Sequence, residues 1–187
     1  MAVIYETAST LNGFLATEDN SLDWLFAIPG EQPDISEFMR SATAIVMGST
    51  TYEWLLEFED LLAHPAKWAE SFGQQHVFVF SSRHLSIPEG ADISLVNGDV
   101  ARHLPQIRAA AGDGDIWMMG GGGLAAQFLR AGALDQIAIT LAPVALAAGK
   151  PLLAGDVFWD RLRLRSCEKI GEWARVVYDV EQPGDES

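Results

Sequence analysis

With 187 residues, 49% apolar and 20% charged, the chain is long enough for one folded domain with a sizeable core. Its net charge of −14 and isoelectric point near 4.5 exclude nucleic acid and anionic membranes as partners, since both repel an acidic surface. The lone Cys167 excludes an intramolecular disulfide, no run reaches the ~18 apolar residues of a membrane span, and no leader pattern opens the chain, so a cytoplasmic location is expected.

Ala2 to Ser9 is expected to be a strand, running into Thr10-Leu11-Asn12-Gly13, where Asn-Gly signals a turn. Phe14-Leu15-Ala16 resumes the apolar pattern before a polar loop from Thr17 to Asp23. Trp24-Leu25-Phe26 is then an apolar cluster, stopped by Pro29-Gly30. So long a loop near the start of a domain is uncommon and often functional. Gln32 to Arg40 starts a short helix, with Ile35, Phe38 and Met39 at helical spacing and Asp34 and Glu37 placed as a capping box. Thr43 to Met47 is a buried type of strand ending at Gly48, and Ser49-Thr50-Thr51 supply cap chemistry for a helix through Phe58. Residues 60–75 read as a linker with a partial helix near Trp68.

Val77 to Phe80 is the next strand, followed by a short one over Ile93 to Val96. Asp99 to Ala111 reads as a helix capped by Asp99, with Pro105 as its weak point. Asp113-Gly114-Asp115 turns into the apolar strand Ile116 to Met119, then four glycines and a helical pattern from Leu124. Ile137 to Val144 is a further strand. Leu162 to Lys169 and Trp173 to Val180 form an antiparallel hairpin turning near Gly171. Residues 1–180 make one α/β domain without repeats, and 181–187 an acidic tail expected to be disordered.

The chemistry concentrates at strand ends. A strand running through glycines into a helix offers unpaired N–H groups and a partial positive charge, a ready place for an anion; the same pattern also serves as a tight turn packing a helix on a sheet. Gly48-Ser49 is a second such junction, and two together suit a ligand with several phosphates. Ser81-Ser82-Arg83, at another strand end, is either a third phosphate contact or a solvated turn. A Rossmann assignment fails, because an acid is wanted about 20 residues beyond the glycines, and that position holds Thr140, inside a strand pattern. The four histidines have no metal spacing, so no metal is expected.

Taken in order, Ala8 to Ala16, Asp23-Trp24, Val46 to Glu53, Phe80 to Arg83, the Gly120 run, and Pro143 with Gly149 to Leu153 resemble the dihydrofolate reductase-like superfamily. The resemblance covers nearly the whole chain. It is strongest to the branch holding the C-terminal reductase domain of the riboflavin-pathway deaminase-reductase (RibD). It implies a mixed, mainly parallel sheet flanked by helices on both faces, with a C-terminal antiparallel hairpin. It also implies NADPH as cofactor and hydride transfer to a small heterocycle, in a homodimer. By the resemblance, Ala8, Leu15 and Ala16 would line the nicotinamide, and Gly48, Ser49, Thr50 and Thr51 would hold phosphates. Ser81, Ser82 and Arg83 would hold the 2′-phosphate, while Met119, Gly120, Gly121, Gly122, Gly123 and Leu124 would cradle the pyrophosphate.

Many relatives carry a basic residue where Ser49 stands, which leaves Arg83 as the candidate cation. For the acceptor, Asp34 is the candidate carboxylate, with helix capping as its other role, and Arg40 is the nearby basic residue. Trp24 and Phe26 could stack on a flat ring or simply fill the core. The competing reading is a nucleotide-binding module of the same fold without turnover. The Ala142 to Ala148 stretch motivates the dimer.

Overall fold

The computed structural model describes residues 1–182 and orders them around one eight-stranded sheet. Its strands are β1 (Val3–Thr10), β3 (Ala42–Gly48), β4 (His76–Phe80), β5 (Ile93–Val96), β6 (Asp115–Gly120), β7 (Gln136–Ala142), β9 (Leu162–Ile170) and β10 (Trp173–Val180), in the spatial order β5-β4-β3-β6-β1-β7-β10-β9. The first six neighbours pair in parallel; β10 runs antiparallel to both β7 and β9. Two short strands, β2 (Phe14–Ala16) and β8 (Lys150–Pro151), form a separate antiparallel pair.

Near-continuous apolar runs in the central strands reflect burial on both faces, as parallel sheets require. On one face Val46, Phe78, Ile116 and Met118 meet α5 (Val100–Ala111) and α6 (Gly122–Arg130) through Ile107, Phe128 and Leu129. On the other, Ile45, Met47, Val77 and Val79 meet α3 (Ser49–Phe58) and α4 (Ala66–Phe72) through Tyr52, Trp68 and Phe72. Burying each such side chain stabilises the fold by about 1.5–3 kcal/mol.

Several expectations need correction. The segment read as a linker with a partial helix near Trp68 does hold that helix, α4, but it is no linker, since Trp68 and Phe72 anchor it in the core. Trp24 belongs to a one-turn helix, α1 (Asp23–Phe26), and the helix expected from Gln32 is α2, only Ser36–Ser41, whose N-cap position is Ile35 without a side-chain cap. Neither Ser49, Thr50, Thr51 nor Asp99 supplies a side-chain cap: the cap of α3 is Gly48, and Asp99 makes no cap bond. Pro105 does not end α5, because Ile107 and Ala111 beyond it are locked into the core. Cys167, expected to be an inert, half-buried strand residue, is exposed on β9. The expected tail starts ordered, for Glu181 N–H donates to the Arg161 carbonyl (2.9 Å) and Gln182 Nε2 to that of Leu134 (3.1 Å). Residues 183–187 lie outside the described residues. Among the described residues, no helix is long and apolar enough to cross a membrane.

Candidate active site

The parallel strands β1, β3 and β6 end side by side, so the segments after them converge, as expected at the carboxyl edge of such a sheet. Gly48 lies against the glycine run: a Cβ on it would come within 3.7 Å of Gly121 N and 3.8 Å of Gly120 O. Gly120 has φ of 151°, where side chains are disfavoured. Gly122 is required by a close approach, since its Cβ would stand 2.1 Å from the Pro151 carbonyl oxygen and 2.7 Å from that of Leu152. Gly123 faces open space, with nothing within 4 Å of a Cβ.

A cleft of about 510 Å³ opens over these ends. Of the residues expected at a cofactor, Ala8, Leu15, Ala16, Thr50, Thr51, Met119 and Gly120 to Gly123 line it, and so does Trp24. The N-termini of α3 and α6 carry no side-chain cap. Gly121 O takes the N–H groups of Leu124 and Ala125, leaving those of Gly122 and Gly123 without a helical partner.

Other expected residues lie elsewhere. Gly48 and Ser49 do not line the cleft, although Gly48 lies against Gly120 and Gly121. Leu124 packs its side chain into the core and commits its N–H to Gly121. Ser81 Oγ donates to the Arg83 carbonyl and accepts its N–H, both at 2.9 Å, while Ser82 is exposed; none of the three residues Ser81 to Arg83 lines the cleft. Arg83 forks onto Glu53 at 2.8 and 2.5 Å. The ionisable side chain that does line the cleft is Lys150.

A second cavity, about 570 Å³, shares Thr7, Ala8, Leu25 and Met119 with the first and extends over the opposite side of β1 toward β7 and β10. Asp34 is not in it. That side chain is exposed and accepts the Ser36 N–H at 2.8 Å, which holds its carboxyl below the usual range. Arg40 lines neither cavity. Phe26 lines the second cavity and stacks on Phe58, 5.1 Å between centroids.

The acid of the second cavity is Glu6, 2% exposed. Arg175 Nη2 donates to Glu6 Oε2, yet burial outweighs that attraction and pushes the carboxyl up to about 7. Thr140 and Trp173 also line the cavity, and Thr140 Oγ1 and Trp173 Nε1 are buried without a partner. Unpaired buried polar atoms are costly and so point to a ligand or water. Sequence reading missed Glu6, although an acid amid an apolar strand breaks the local rule in the way functional sites do. No group of His, Cys, Asp and Glu among the described residues could hold a metal ion.

Residues 1–175 match the family model of the RibD C-terminal domain. Two curated Bacillus subtilis proteins are similar and are themselves uncharacterized: YwjB, 26% identical over 91% of this chain and 93% of that protein, and YyaP, 25% identical over 80% and 79%. Among solved structures, a Shewanella sp. PV-4 protein named for riboflavin biosynthesis superposes with a TM-score of 0.77 at 24% identity, covering 97% of this chain and 100% of that one. The Thermotoga maritima deaminase/5-amino-6-(5-phosphoribosylamino)uracil reductase gives 0.63 at 16%, covering 96% of this chain and 56% of that one. The solved structures establish the fold, a mixed, mostly parallel sheet of the RibD reductase domain. The family-model match covers most of the chain, and the chain belongs to the RibD C-terminal domain family.

Proposed function

We propose that the protein is a reductase that binds NADPH in the first cleft and reduces a small heterocycle held in the second cavity. The observation that carries this reading is the convergence of two uncapped helix N-termini on a glycine-walled cleft that shares Ala8 and Met119 with a second cavity. The first-turn N–H groups of α3 and α6 suit a pyrophosphate, and the open space at Gly123 leaves room for it. NADPH would supply a hydride; the protein supplies position and exclusion of water. Cofactor oxidation with a panel of pterins, pyrimidines and quinones tests the reading. Binding without turnover across the panel would mark a nucleotide-binding module instead.

The cations of the site follow from the same reading. Lys150→Ala removes the positive side chain of the cleft and is expected to weaken NADPH about fivefold, read by the fluorescence of the bound cofactor. Arg83, the cation that the resemblance assigns to the 2′-phosphate, lies outside the cleft lining and is held by Glu53. Glu53→Ala is therefore expected to raise NADPH affinity while leaving NADH unchanged; equal effects on both would remove Arg83 from the site.

A homodimer belongs to the proposal as well. The apolar side chains Phe158, Trp159 and Leu164 are 67%, 82% and 60% exposed beside the free edge of β9, an unusual surface for a monomer. Trp159→Glu is expected to convert a dimer to a monomer in light scattering; a monomeric wild type would remove this part.

A further inference from the structure

We propose that Glu6 is the acid of the second cavity, donating a proton to the acceptor while Arg175 positions it, and that this pair selects uncharged planar acceptors. The inference rests on the reductase reading above. Glu6 precedes Ala8 by two residues on β1, so the two side chains share a face, about 7 Å apart. Ala8 is in the wall common to both cavities, so one ring lying across it reaches the acid.

The placement of Arg175 follows from strand register. It stands opposite Thr140, and Thr140 opposite Ala8, so the guanidinium reaches across β7 to Glu6. It bonds Oε2, and among the described residues nothing bonds Oε1. Thr140 and Trp173, 4% and 2% exposed, add an unpaired hydroxyl and an unpaired indole N–H to the same wall. Around the carboxyl, β6, β7 and the segment joining α1 to α2 contribute no ionisable side chain to the cavity; β10 lines it with Trp173, and its Arg175 stands outside the lining, paired to Glu6. A phosphate-bearing acceptor would thus meet a carboxylate and no free cation.

The step balances for an acceptor C=X bond, with X nitrogen or oxygen. The carbon gains a hydride from the reduced dinucleotide, which leaves oxidised. X gains the proton of Glu6, whose O–H bond breaks to give a carboxylate beside Arg175. Solvent returns the proton through the open cavity.

The test uses protein labelled with carbon-13 at glutamate carboxyls and loaded with NADP⁺, the Glu6 resonance being assigned by its loss in Glu6→Gln. Menadione is the uncharged planar probe and inorganic phosphate the anionic one. The Glu6 resonance is expected to titrate near neutrality and to shift with menadione but not with phosphate. Arg175→Leu is expected to raise its midpoint, whereas Arg175→Lys, which keeps the charge, leaves it near wild type. An ionised Glu6 at every pH, or a resonance blind to menadione, overturns the proposal. In turnover, NADPH oxidation by menadione is expected to fall as pH rises through the same midpoint. Glu6→Gln is expected to be about 100-fold slower or worse, with a flat profile and unchanged NADPH affinity. A Glu6→Gln enzyme with wild-type rate and profile also overturns it. Failure of NADPH to bind would instead sink the reductase reading, and if menadione is not reduced the resonance alone decides the role of Glu6.

Discussion

Gly122→Ala is expected to destabilise the protein by about 3 kcal/mol and to abolish cofactor binding, through a single added methyl group. The atoms it would meet are backbone, the carbonyl oxygens of Pro151 and Leu152 at 2.1 and 2.7 Å, so no side chain can rotate away. Relief requires the β8 segment to move off the N-terminus of α6. That movement costs the bond from Ala154 N–H to Gly122 O and disturbs the neighbouring Leu152 N–H bond to Gly13 O, and so loosens the turn that places β2 over the cleft. Urea denaturation gives the stability loss and calorimetric titration the binding loss. A stability within about 0.5 kcal/mol of wild type would contradict this account of the glycine.

The second large effect is a pH dependence of stability. Glu6 titrates near 4.5 when unfolded and at about 7 in the fold, because burial penalises its charge more than Arg175 compensates. The folded state therefore binds this proton more tightly. The stabilisation is complete below about pH 4.5 and is lost as pH rises to about 7, amounting to roughly 3 kcal/mol. Glu6→Gln is expected to remove this decline from denaturation curves measured between about pH 5 and about pH 8. Arg175→Leu is expected to deepen it, leaving a buried carboxylate unpaired at a cost of about 3–5 kcal/mol at the alkaline end. A wild type whose stability does not fall over that window would contradict the burial argument.

The sheet was legible in the sequence because its strands are buried on both faces and read as apolar runs; Val77 to Phe80 and Ile116 to Met119 could hardly be anything else. The glycine run was legible for a related reason, four residues without Cβ between a strand and a helix. Helix starts were harder. Asp34, Ser49 and Asp99 have the chemistry of caps, but Asp34 bonds the Ser36 N–H from one position before the N-cap and the other two make no cap bond, because that depends on backbone direction, which composition does not carry. The acceptor side was least legible. Glu6 and Arg175 lie 169 residues apart and meet only through the β1-β7-β10 register. The pairing of Arg83 was hidden because its partner, Glu53, belongs to a helix 30 residues earlier.

The most direct measurement is calorimetric titration of NADPH into wild type and Gly123→Leu. Gly123 is exposed at the cleft with no atom within 4 Å of a Cβ, so leucine there fills the cleft without straining the fold. One site per chain in wild type, weakened at least about tenfold in a Gly123→Leu protein of unchanged stability, is the expected result. Absence of NADPH binding, or equal binding by both proteins, would contradict the assignment of the cleft.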